Sequence, residues 1–403
     1  MIRRPPRSTL SSSSAASDVY KRQELGFRYF GPIDGHDLNM VINTLENIKD
    51  IQNPVLLHVL TKKGKGMVSL DMKNGDYHDD AVKFHAVKPN GKAKPPIINT
   101  KEKLQNITPS PSFQDVFGKL AIEVAKNRED TVCITAAMRE GTGLVPFSKE
   151  FPDRYYDVGI AEGHGVTFAS GLAAQGIRPI AAIYSTFLQR AYDHIIHDCA
   201  IQHLPVIFCM DRSGIAGEDG PTHQPIEHAM ALRTIPDLNV FRPADAKETA
   251  VCFRLAMENK NNPSALLLTR QGVPVLDQDY EDLEANVRRG AYIVKECDTS
   301  PELIFIATGS EVSLAIQTAE LMSDKQIRVI SMPCMEIFNK QSDDYKNKLL
   351  PKRGSLKITI EAGITAGWEK YTGLNGLEIG LDHYGASAPG KDLANEFGFT
   401  ADK

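Results

Sequence analysis

The sequence predicts an α/β protein in which a three-layer domain, with helices on both faces of a parallel sheet, precedes a smaller α/β domain. Short continuous apolar runs alternate with segments of helical apolar spacing, and this pattern is typical of parallel strands buried on both faces. Two polar stretches without periodicity, at 88–108 and 277–286, divide the pattern into three parts. The length of 403 residues suits two or three domains.

The first part of the chain is a short α/β segment. Leu38–Ile51 has helical apolar spacing, and Val55–Leu60 reads as a buried strand followed by the basic turn TKKGKG. We expect this part to span 24–95. Residues 1–23 are basic, serine-rich and aperiodic, as in a transit peptide or a translated sequencing adaptor, so we expect a disordered, non-native leader whose presence suggests that the true N-terminus is missing.

The other two parts are complete enough to predict individual elements. After a linker at 96–111, a helix starts at Ser112 and opens a domain at 112–276. A second domain is expected at 287–403, with a helix at 311–322. The predicted strands are 131–135, 179–183, 206–210 and 265–268 in the first of these domains, and 303–307 and 327–331 in the second.

Composition excludes several classes of protein. The net charge of −5 and the lack of a basic face argue against nucleic-acid binding. No apolar run reaches the roughly 18 residues of a membrane span, so no membrane partner is expected. The six cysteines are scattered without a C-x-x-C pair, and several lie in apolar runs. This usage predicts buried free thiols in a cytoplasmic protein rather than disulfides or zinc ligands.

Polar and glycine-rich motifs cluster in the 112–276 domain, mostly just after apolar strands. The carboxyl ends of parallel strands meet at one edge of a sheet, where α/β folds bind ligands. Glycines there let the backbone approach a ligand, while carboxylates, arginines and histidines supply proton transfer and anion binding. The motifs are MREGTG, DVGIAEGH, YSTFLQR, DRSG and GEDGPTHQ.

These motifs closely resemble the 1-deoxy-D-xylulose-5-phosphate synthase family, thiamine-diphosphate enzymes of the transketolase superfamily. The resemblance starts near Tyr29, and beyond His223 it changes to bacterial transketolase. The synthase-like segments are GPIDGHD, LHVLTKKGKG, FHAV, MREGTG, FPDRYYDVGIAEGH, AIYSTFLQRAYD and DRSGIAGEDGPTH. The transketolase-like ones are THQPIEH, FRPADAKETA, LLLTRQGVPVLD, IATGSEVSLA, VISMPCMEIF, EAGITAGWEKY and DHYGASAPG. A natural hybrid and an artificial joining of two reads are both compatible with this change.

The resemblance implies roles in cofactor binding. Glu162 matches the glutamate that holds the N1′ nitrogen of the aminopyrimidine, a task for a largely buried carboxylate that shares a proton with a weak ring base. Phe187 matches the aromatic ring that stacks on the pyrimidine. The full implied cofactor set is Met138, Glu162, Tyr184, Phe187, Arg190 and Lys63. Two alternatives stay open: Arg190 could be a salt-bridge partner of Asp193, and Lys63 a solvated loop charge.

The resemblance also implies a substrate site and a catalytic set. Arg212 and Arg270 match cationic positions that hold a sugar phosphate, a dianion suited to guanidinium groups. The implied substrate set is Tyr184, Arg212, Asp219, His223 and Arg270, and the implied catalytic set is Glu162, His223 and His85. The family holds the diphosphate and Mg²⁺ through an earlier Gly-Asp-Gly motif that this sequence lacks, so we expect no metal ligand in this chain.

The implied reaction is the condensation of pyruvate with glyceraldehyde 3-phosphate, with release of CO2, by a homodimer that uses thiamine diphosphate and Mg²⁺. Two alternatives remain: a transketolase that moves a two-carbon ketol unit between sugar phosphates, and a non-catalytic fragment or subunit that needs a partner chain. Most residues of the implied pocket lie in the synthase-like half, which favours the synthase. The C-terminal domain is expected to contribute to dimerisation, with Trp368 and Tyr371 as packing residues.

Overall fold

The computed structural model describes residues 26–62, 65 and 110–403. The chain forms two compact units, 1–103 and 104–403. In the first unit, strands β1 (Arg28–Asp34) and β2 (Val55–Leu60) are parallel, and helix α1 (Leu38–Ile48) connects them. β2 has its predicted bounds but is only partly buried, since the described part of this unit has one helix to cover its two strands. α1 ends three residues before its predicted end.

The second unit begins with the predicted three-layer domain. Ser112 caps its first helix by accepting a hydrogen bond from the Asp115 amide. The elements in chain order are α2 (Phe113–Asn127), β3 (Thr131–Thr135), α3 (Val145–Glu150), β4 (Tyr155–Asp157), α4 (Glu162–Ala174), β5 (Arg178–Tyr184), α5 (Ser185–Leu188), α6 (Tyr192–His194), β6 (Ile207–Asp211), α7 (His228–Arg233), β7 (Asn239–Phe241), α8 (Ala246–Glu258) and β8 (Ser264–Leu267). A π-helix, Ile195–Ala200, continues α6.

These strands form a six-stranded parallel sheet in the order β4-β3-β5-β6-β8-β7. Alternate residues of one strand point into two different apolar clusters, as the pleat requires. In β6, Ile207 and Cys209 pack with α2 and α8, whereas Phe208 and Met210 pack with α4 and α7. Both faces are therefore covered, which explains why the strands read as continuous apolar runs and confirms the three layers.

The third part forms the smaller α/β domain, and its elements begin inside the predicted polar break. They are α9 (Tyr280–Val287), β9 (Tyr292–Lys295), β10 (Leu303–Ala307), α10 (Glu311–Leu321), β11 (Ile327–Ser331), α11 (Met335–Asn339), α12 (Asp343–Leu349), β12 (Leu356–Ile360), α13 (Glu369–Thr372), β13 (Leu377–Ile379) and α14 (Gly390–Glu396). Its sheet has the order β13-β12-β10-β11-β9, with β9 antiparallel to β11 and the other pairs parallel.

The helix α9 corrects the expected break at 277–286. Its polar appearance comes from the helix start, where Asp279 accepts hydrogen bonds from the amides of Glu281 and Asp282. Leu283 and Val287 of the same helix are buried in the apolar cluster that also contains α2 and α8. The segment is therefore an amphipathic helix that packs against the three-layer domain.

A buried ionic cluster lies between the two domains of the second unit. Glu361, which follows β12, accepts two hydrogen bonds of 2.8 Å from Arg233 at the end of α7. Arg242, after β7, donates to the Thr308 carbonyl at 3.0 Å and forms an ion pair with Glu311. We call these residues the interdomain cluster. Because its charged groups come from both domains, it fixes how the two domains meet.

Candidate active site

The carboxyl edge of the six-stranded sheet brings the implied site residues together. Tyr184 is the last residue of β5, and it lies opposite Asp211, the last residue of β6. Arg212 follows directly, and Arg270 comes three residues after the end of β8, the next strand in the sheet. The strand order therefore converts positions that are distant in sequence into neighbours at one edge.

Glu162 occupies the first turn of α4 and is 3 % exposed. Its carboxylate is held by Arg190, whose Nη1 donates to Glu162 Oε1 over 2.6 Å. The position at a helix N-terminus favours a negative charge. Arg190 thus pairs with Glu162 rather than with Asp193, the alternative considered from sequence. Because the guanidinium uses Oε1, it leaves Oε2 as the other acceptor of this buried carboxylate.

An aromatic group lies beside this ion pair. The rings of Tyr184 and Phe187 are stacked with centroids 6.0 Å apart, and the His223 ring meets Phe187 edge-on at 5.0 Å. The Arg190 guanidinium lies 4.9 Å from the Phe187 centroid. Phe187 thus connects Glu162 and Arg190 with His223. The resemblance implies that all three are site residues.

Two arginines share one carboxylate at the same edge. Arg212 Nη1 donates to Asp219 Oδ2 over 2.5 Å, and Arg270 Nη1 donates to the same oxygen over 3.2 Å. The Arg212 guanidinium also stacks 4.2 Å from the Tyr184 centroid. Arg212 has φ +65°, a left-handed conformation that is uncommon outside glycine. We call Arg212, Arg270 and Asp219 the arginine pair and its carboxylate.

Asp211, the first residue of the DRSG motif, lies beside Arg212 of the arginine pair. It is 3 % exposed, and its Oδ2 is 3.8 Å from Arg212 Nε. Burial raises the pKa of Asp211 to about 7, although the charges of Arg212 and Arg270 oppose the shift. Burial likewise raises the pKa of Tyr184. The one sequence signal for Asp211 is its position as the last residue of a predicted apolar strand.

The loop after β3 completes this edge. The Tyr184 amide points at Met138 Sδ, with 3.3 Å between nitrogen and sulfur. A Cβ at Gly141 would come within 1.6 Å of Tyr184 Oη, so only glycine fits against this tyrosine. Met138, the implied start of the loop that approaches the cofactor, is therefore in direct contact with the site.

The structure brings together nine of the eleven residues implied by the resemblance. They are Met138, Glu162, Tyr184, Phe187, Arg190, Arg212, Asp219 and Arg270, with His223 as a ninth residue through its contact with Phe187. The remaining two, Lys63 and His85, lie outside the described residues.

Residues 26–62, 65 and 110–403 contain neither a cluster of metal ligands nor a membrane-spanning helix. No three His, Cys, Asp or Glu side chains there come together in a way that could hold a metal ion. No helix in the same residues is long and apolar enough to cross a membrane. All six cysteines are free thiols and five are buried, as their positions in apolar runs predict.

Three family descriptions match parts of the chain. Residues 110–275 match "Transketolase, pyrimidine binding domain", and residues 290–400 match "Transketolase-like TK C-terminal domain". Residues 8–61 match "1-deoxy-D-xylulose-5-phosphate synthase", and this match begins inside the segment 1–23 that sequence alone suggests is a leader. The two transketolase matches coincide with the two domains of the second unit.

Curated relatives are named 1-deoxy-D-xylulose-5-phosphate synthase. The one from Aquifex aeolicus is 41 % identical over 348 residues, which are 86 % of this chain and 51 % of the relative. The one from Thermomicrobium roseum is 42 % identical over 309 residues, 76 % of this chain and 45 % of the relative. The chain therefore spans about half the length of these relatives.

Solved structures of transketolases share the fold. The Leishmania mexicana enzyme is 32 % identical with a TM-score of 0.68, over 74 % of this chain and 45 % of that one. A Pichia stipitis transketolase, solved in complex with sedoheptulose 7-phosphate, is 27 % identical with a TM-score of 0.67, over 73 % of this chain and 44 % of that one. The chain therefore belongs to the transketolase superfamily, with 1-deoxy-D-xylulose-5-phosphate synthases among its relatives and transketolases among its structural neighbours.

Proposed function

We propose that this chain is part of a thiamine-diphosphate-dependent synthase that condenses pyruvate with glyceraldehyde 3-phosphate to 1-deoxy-D-xylulose 5-phosphate and CO2. The observation that carries the proposal is the continuous constellation from Glu162 through Phe187 and Tyr184 to the arginine pair. In it, a buried carboxylate lies next to an aromatic surface and two arginines. The synthase names of the curated relatives support the same reading.

The residues present fit the pyrimidine part of the cofactor. A carboxylate that is 3 % exposed, with one oxygen held by Arg190, can present its other oxygen to a ring nitrogen. The half-buried Phe187 ring can stack on a planar heterocycle. The described residues do not fit Mg²⁺ in the same way, because no cluster of three ligand-type side chains occurs among them.

Thiamine diphosphate, its pyrimidine held by Glu162 and Phe187, would supply the carbon nucleophile for the 2-oxo acid. Glu162 Oε2 is the atom that we assign to share a proton with the pyrimidine N1′, while Arg190 keeps Oε1 in place. A positioned acid of this kind typically contributes about 10²–10⁴-fold to the rate. We assign His223, whose ring meets Phe187 edge-on, to exchange a proton with a carbonyl oxygen of the reacting substrate.

The arginine pair is assigned to the phosphate of the second substrate. Two guanidiniums that meet at Asp219 Oδ2 can each donate hydrogen bonds to a phosphate, whose dianion competes with the carboxylates of Asp219 and of Glu218, the latter 3.3 Å from Arg270 Nη1. Tyr184 supports Arg212 from below through its ring face. Pyruvate has no phosphate, so this pair is expected to act on the second substrate and to leave decarboxylation largely alone.

We further propose a cytoplasmic homodimer. The free, buried thiols suit a reducing compartment. Ile160 and Ile201 are 80 % and 65 % exposed on the same three-layer domain, which suits an apolar contact between copies. Light scattering of the purified protein tests the dimer directly.

The test of the main proposal is CO2 release from pyruvate by the full gene product with thiamine diphosphate and Mg²⁺. Product formation that requires both pyruvate and glyceraldehyde 3-phosphate supports the synthase. Ketol transfer from xylulose 5-phosphate without use of pyruvate would contradict the proposal and support a transketolase. This second candidate rests on the match at 290–400 and on the structural neighbours. No turnover without a second chain would support the subunit alternative.

A further inference from the structure

A second concave site lies in the C-terminal domain, at the opposite end of its sheet from the interdomain cluster. Its volume is about 420 Å³, within the usual range for small-molecule pockets. Strand β12 starts at this cavity with Leu356 and Lys357, and it ends at Ile360, beside Glu361 of the interdomain cluster. The two ends of one strand thus separate the cavity from the interface with the three-layer domain.

The cavity has a one-sided charge. Four lysines line it, Lys346, Lys352, Lys357 and Lys370, and none of its lining residues, which are all in the described part of the chain, is Asp or Glu. Asparagine side chains, including Asn347 and Asn375, add further hydrogen-bond donors to the wall. Lysine ammonium groups bind phosphate and carboxylate as point charges. The lining therefore favours an anion.

Neighbouring acids neutralise this charge only in part. Asp343 pairs with Lys346 over 3.0 Å. Glu378 accepts a hydrogen bond from Thr372, and Glu369 accepts one from the Gly367 amide, so both carboxylates are engaged outside the lysine set. Lys357 has no ion pair among the described residues, and burial lowers its pKa. A half-buried lysine without a counterion is costly unless an anion arrives.

We propose that this cavity binds a small molecule with two or more phosphate or carboxylate groups, held chiefly by Lys352 and Lys357. Lys346 is already paired with Asp343, and Lys370 lies 5.7 Å from the Tyr371 ring. Lys352 and Lys357 form no ion pair among the described residues, although the Asp343 carboxylate also attracts Lys352. The leucines at the rim, including Leu356 and Leu374, would contact the less polar part of such a ligand. This site is independent of the proposed reaction.

The experiment titrates the 403-residue chain with inorganic pyrophosphate by calorimetry, at constant ionic strength set with chloride. Loss of charge-assisted hydrogen bonds should weaken binding at least about tenfold in Lys352→Gln/Lys357→Gln. Lys149→Gln/Lys325→Gln has the same change of charge at exposed lysines outside the cavity, and it should bind as the unmodified chain does. Arg212→Gln/Arg270→Gln should also retain this binding.

Chemical acetylation of lysines can be measured by mass spectrometry in the chain without substitutions. This second measurement does not depend on whether a variant folds. Pyrophosphate should protect Lys352 and Lys357 and leave Lys149 unprotected. Absence of saturable binding below about 1 mM would overturn the proposal. Equal binding by the Lys352→Gln/Lys357→Gln variant, or loss of binding only in Arg212→Gln/Arg270→Gln, would overturn it as well, the latter by moving the site to the arginine pair.

Discussion

The carboxyl edge of the three-layer domain and the interdomain cluster are both built from arginines and carboxylates, but they differ in exposure. At the edge, the side chains of Arg190, Arg212 and Arg270 are 56 %, 19 % and 32 % exposed. In the interdomain cluster, Arg233 and Arg242 are 4 % and 1 % exposed. Exposed guanidinium faces can exchange a carboxylate for a ligand, whereas enclosed ones cannot. Arginines paired with carboxylates therefore suit ligand binding at the sheet edge, and they join the two domains in the interdomain cluster.

The hydrogen bonds of Glu361 show how the interdomain cluster is completed. Its Oε1 accepts from Arg233 Nη2 and Thr308, and its Oε2 accepts from Arg233 Nη1 and the indole of Trp368. Burial alone opposes ionisation, but Arg233 and Arg242 outweigh it and hold the pKa of Glu361 at about 2. Both of its carboxylate oxygens are used, so no acceptor remains for a ligand.

The largest effect is expected from Glu361→Ala, which leaves Arg233 and Arg242 buried without their shared carboxylate. Removing one partner of a buried ion pair typically costs about 3–5 kcal/mol of unfolding free energy. Urea unfolding of the 403-residue chain measures it. The matched control is Glu258→Ala, which breaks the exposed two-bond pair with Arg288 and should cost no more than about 1 kcal/mol.

The pH dependence of this loss gives an independent check. The folded pKa of Glu361 lies below its ordinary value of 4.5, so its stabilising contribution is present above that pH. The contribution disappears as the pH falls from about 4.5 toward 2, and the difference between the unmodified chain and Glu361→Ala should narrow across that range. A constant difference would show that the loss comes from packing rather than charge.

Glu162→Gln tests the buried carboxylate at the other region. Turnover of the full gene product should fall at least about 10²-fold, because the amide cannot share a proton with a ring base. The fold should persist, since glutamine retains the shape and Arg190 is largely exposed. Circular dichroism and steady-state rates measure both. The control Glu150→Gln changes an exposed acid paired with Lys126, and equal rates in the two variants would contradict the assignment of Glu162.

Arg212→Ala tests the arginine pair. The apparent KM for glyceraldehyde 3-phosphate should rise about 10- to 100-fold through loss of a charged hydrogen bond. Decarboxylation of pyruvate should change little. Arg254→Ala, at an exposed arginine paired with Glu284, is the control. A parallel loss of both activities would show that Arg212 supports the site as a whole rather than the phosphate.

The smallest effect is expected from Asp211→Asn. Asp211 faces Arg212, Arg270, Tyr184 and the Cys209 thiol, and its pKa is raised to about 7 by burial. It is neutral below that pH, and above it gains a negative charge that weakens phosphate binding by Arg212. The KM of the unmodified enzyme, divided by that of Asp211→Asn, should therefore rise a few-fold from pH 6 to 8. The ratio cancels the titration of the phosphate itself, and a flat ratio would contradict this.

The elements that sequence predicted best are those with uniform surroundings. The strands 131–135, 303–307 and 327–331, which are largely buried on both faces, have their predicted bounds, as does the partly buried β2, whereas the buried β6 and β8 are each displaced by one residue from the prediction. Strands β4, β7 and β13 have only three residues each and give no pattern long enough to recognise. α9 was mistaken for a break because its polar first turn dominates a short segment.

Some residues of the candidate site could be predicted from sequence and others could not. The sequence predicts that Tyr184, Arg212 and Arg270 lie at one edge, because each follows or ends an apolar strand and the apolar runs indicate that these strands are parallel. The partner of Arg190 could not be found in this way, because Glu162 is 28 residues earlier on another helix and Asp193 is near in sequence. Asp211 gave no signal beyond its place at a strand end, because its pKa depends on burial that only the folded chain provides.

The sharing of Asp219 by two arginines has a consequence for how a ligand would enter. Asp219 Oδ2 accepts from both guanidiniums and Glu218 pairs with Arg270, so the two guanidiniums are kept close together despite their mutual repulsion. An incoming dianion replaces a carboxylate that is already there and finds its donors oriented. A ligand would therefore replace one anion with another while the two arginines stay in place, and little structural reorganisation has to accompany binding.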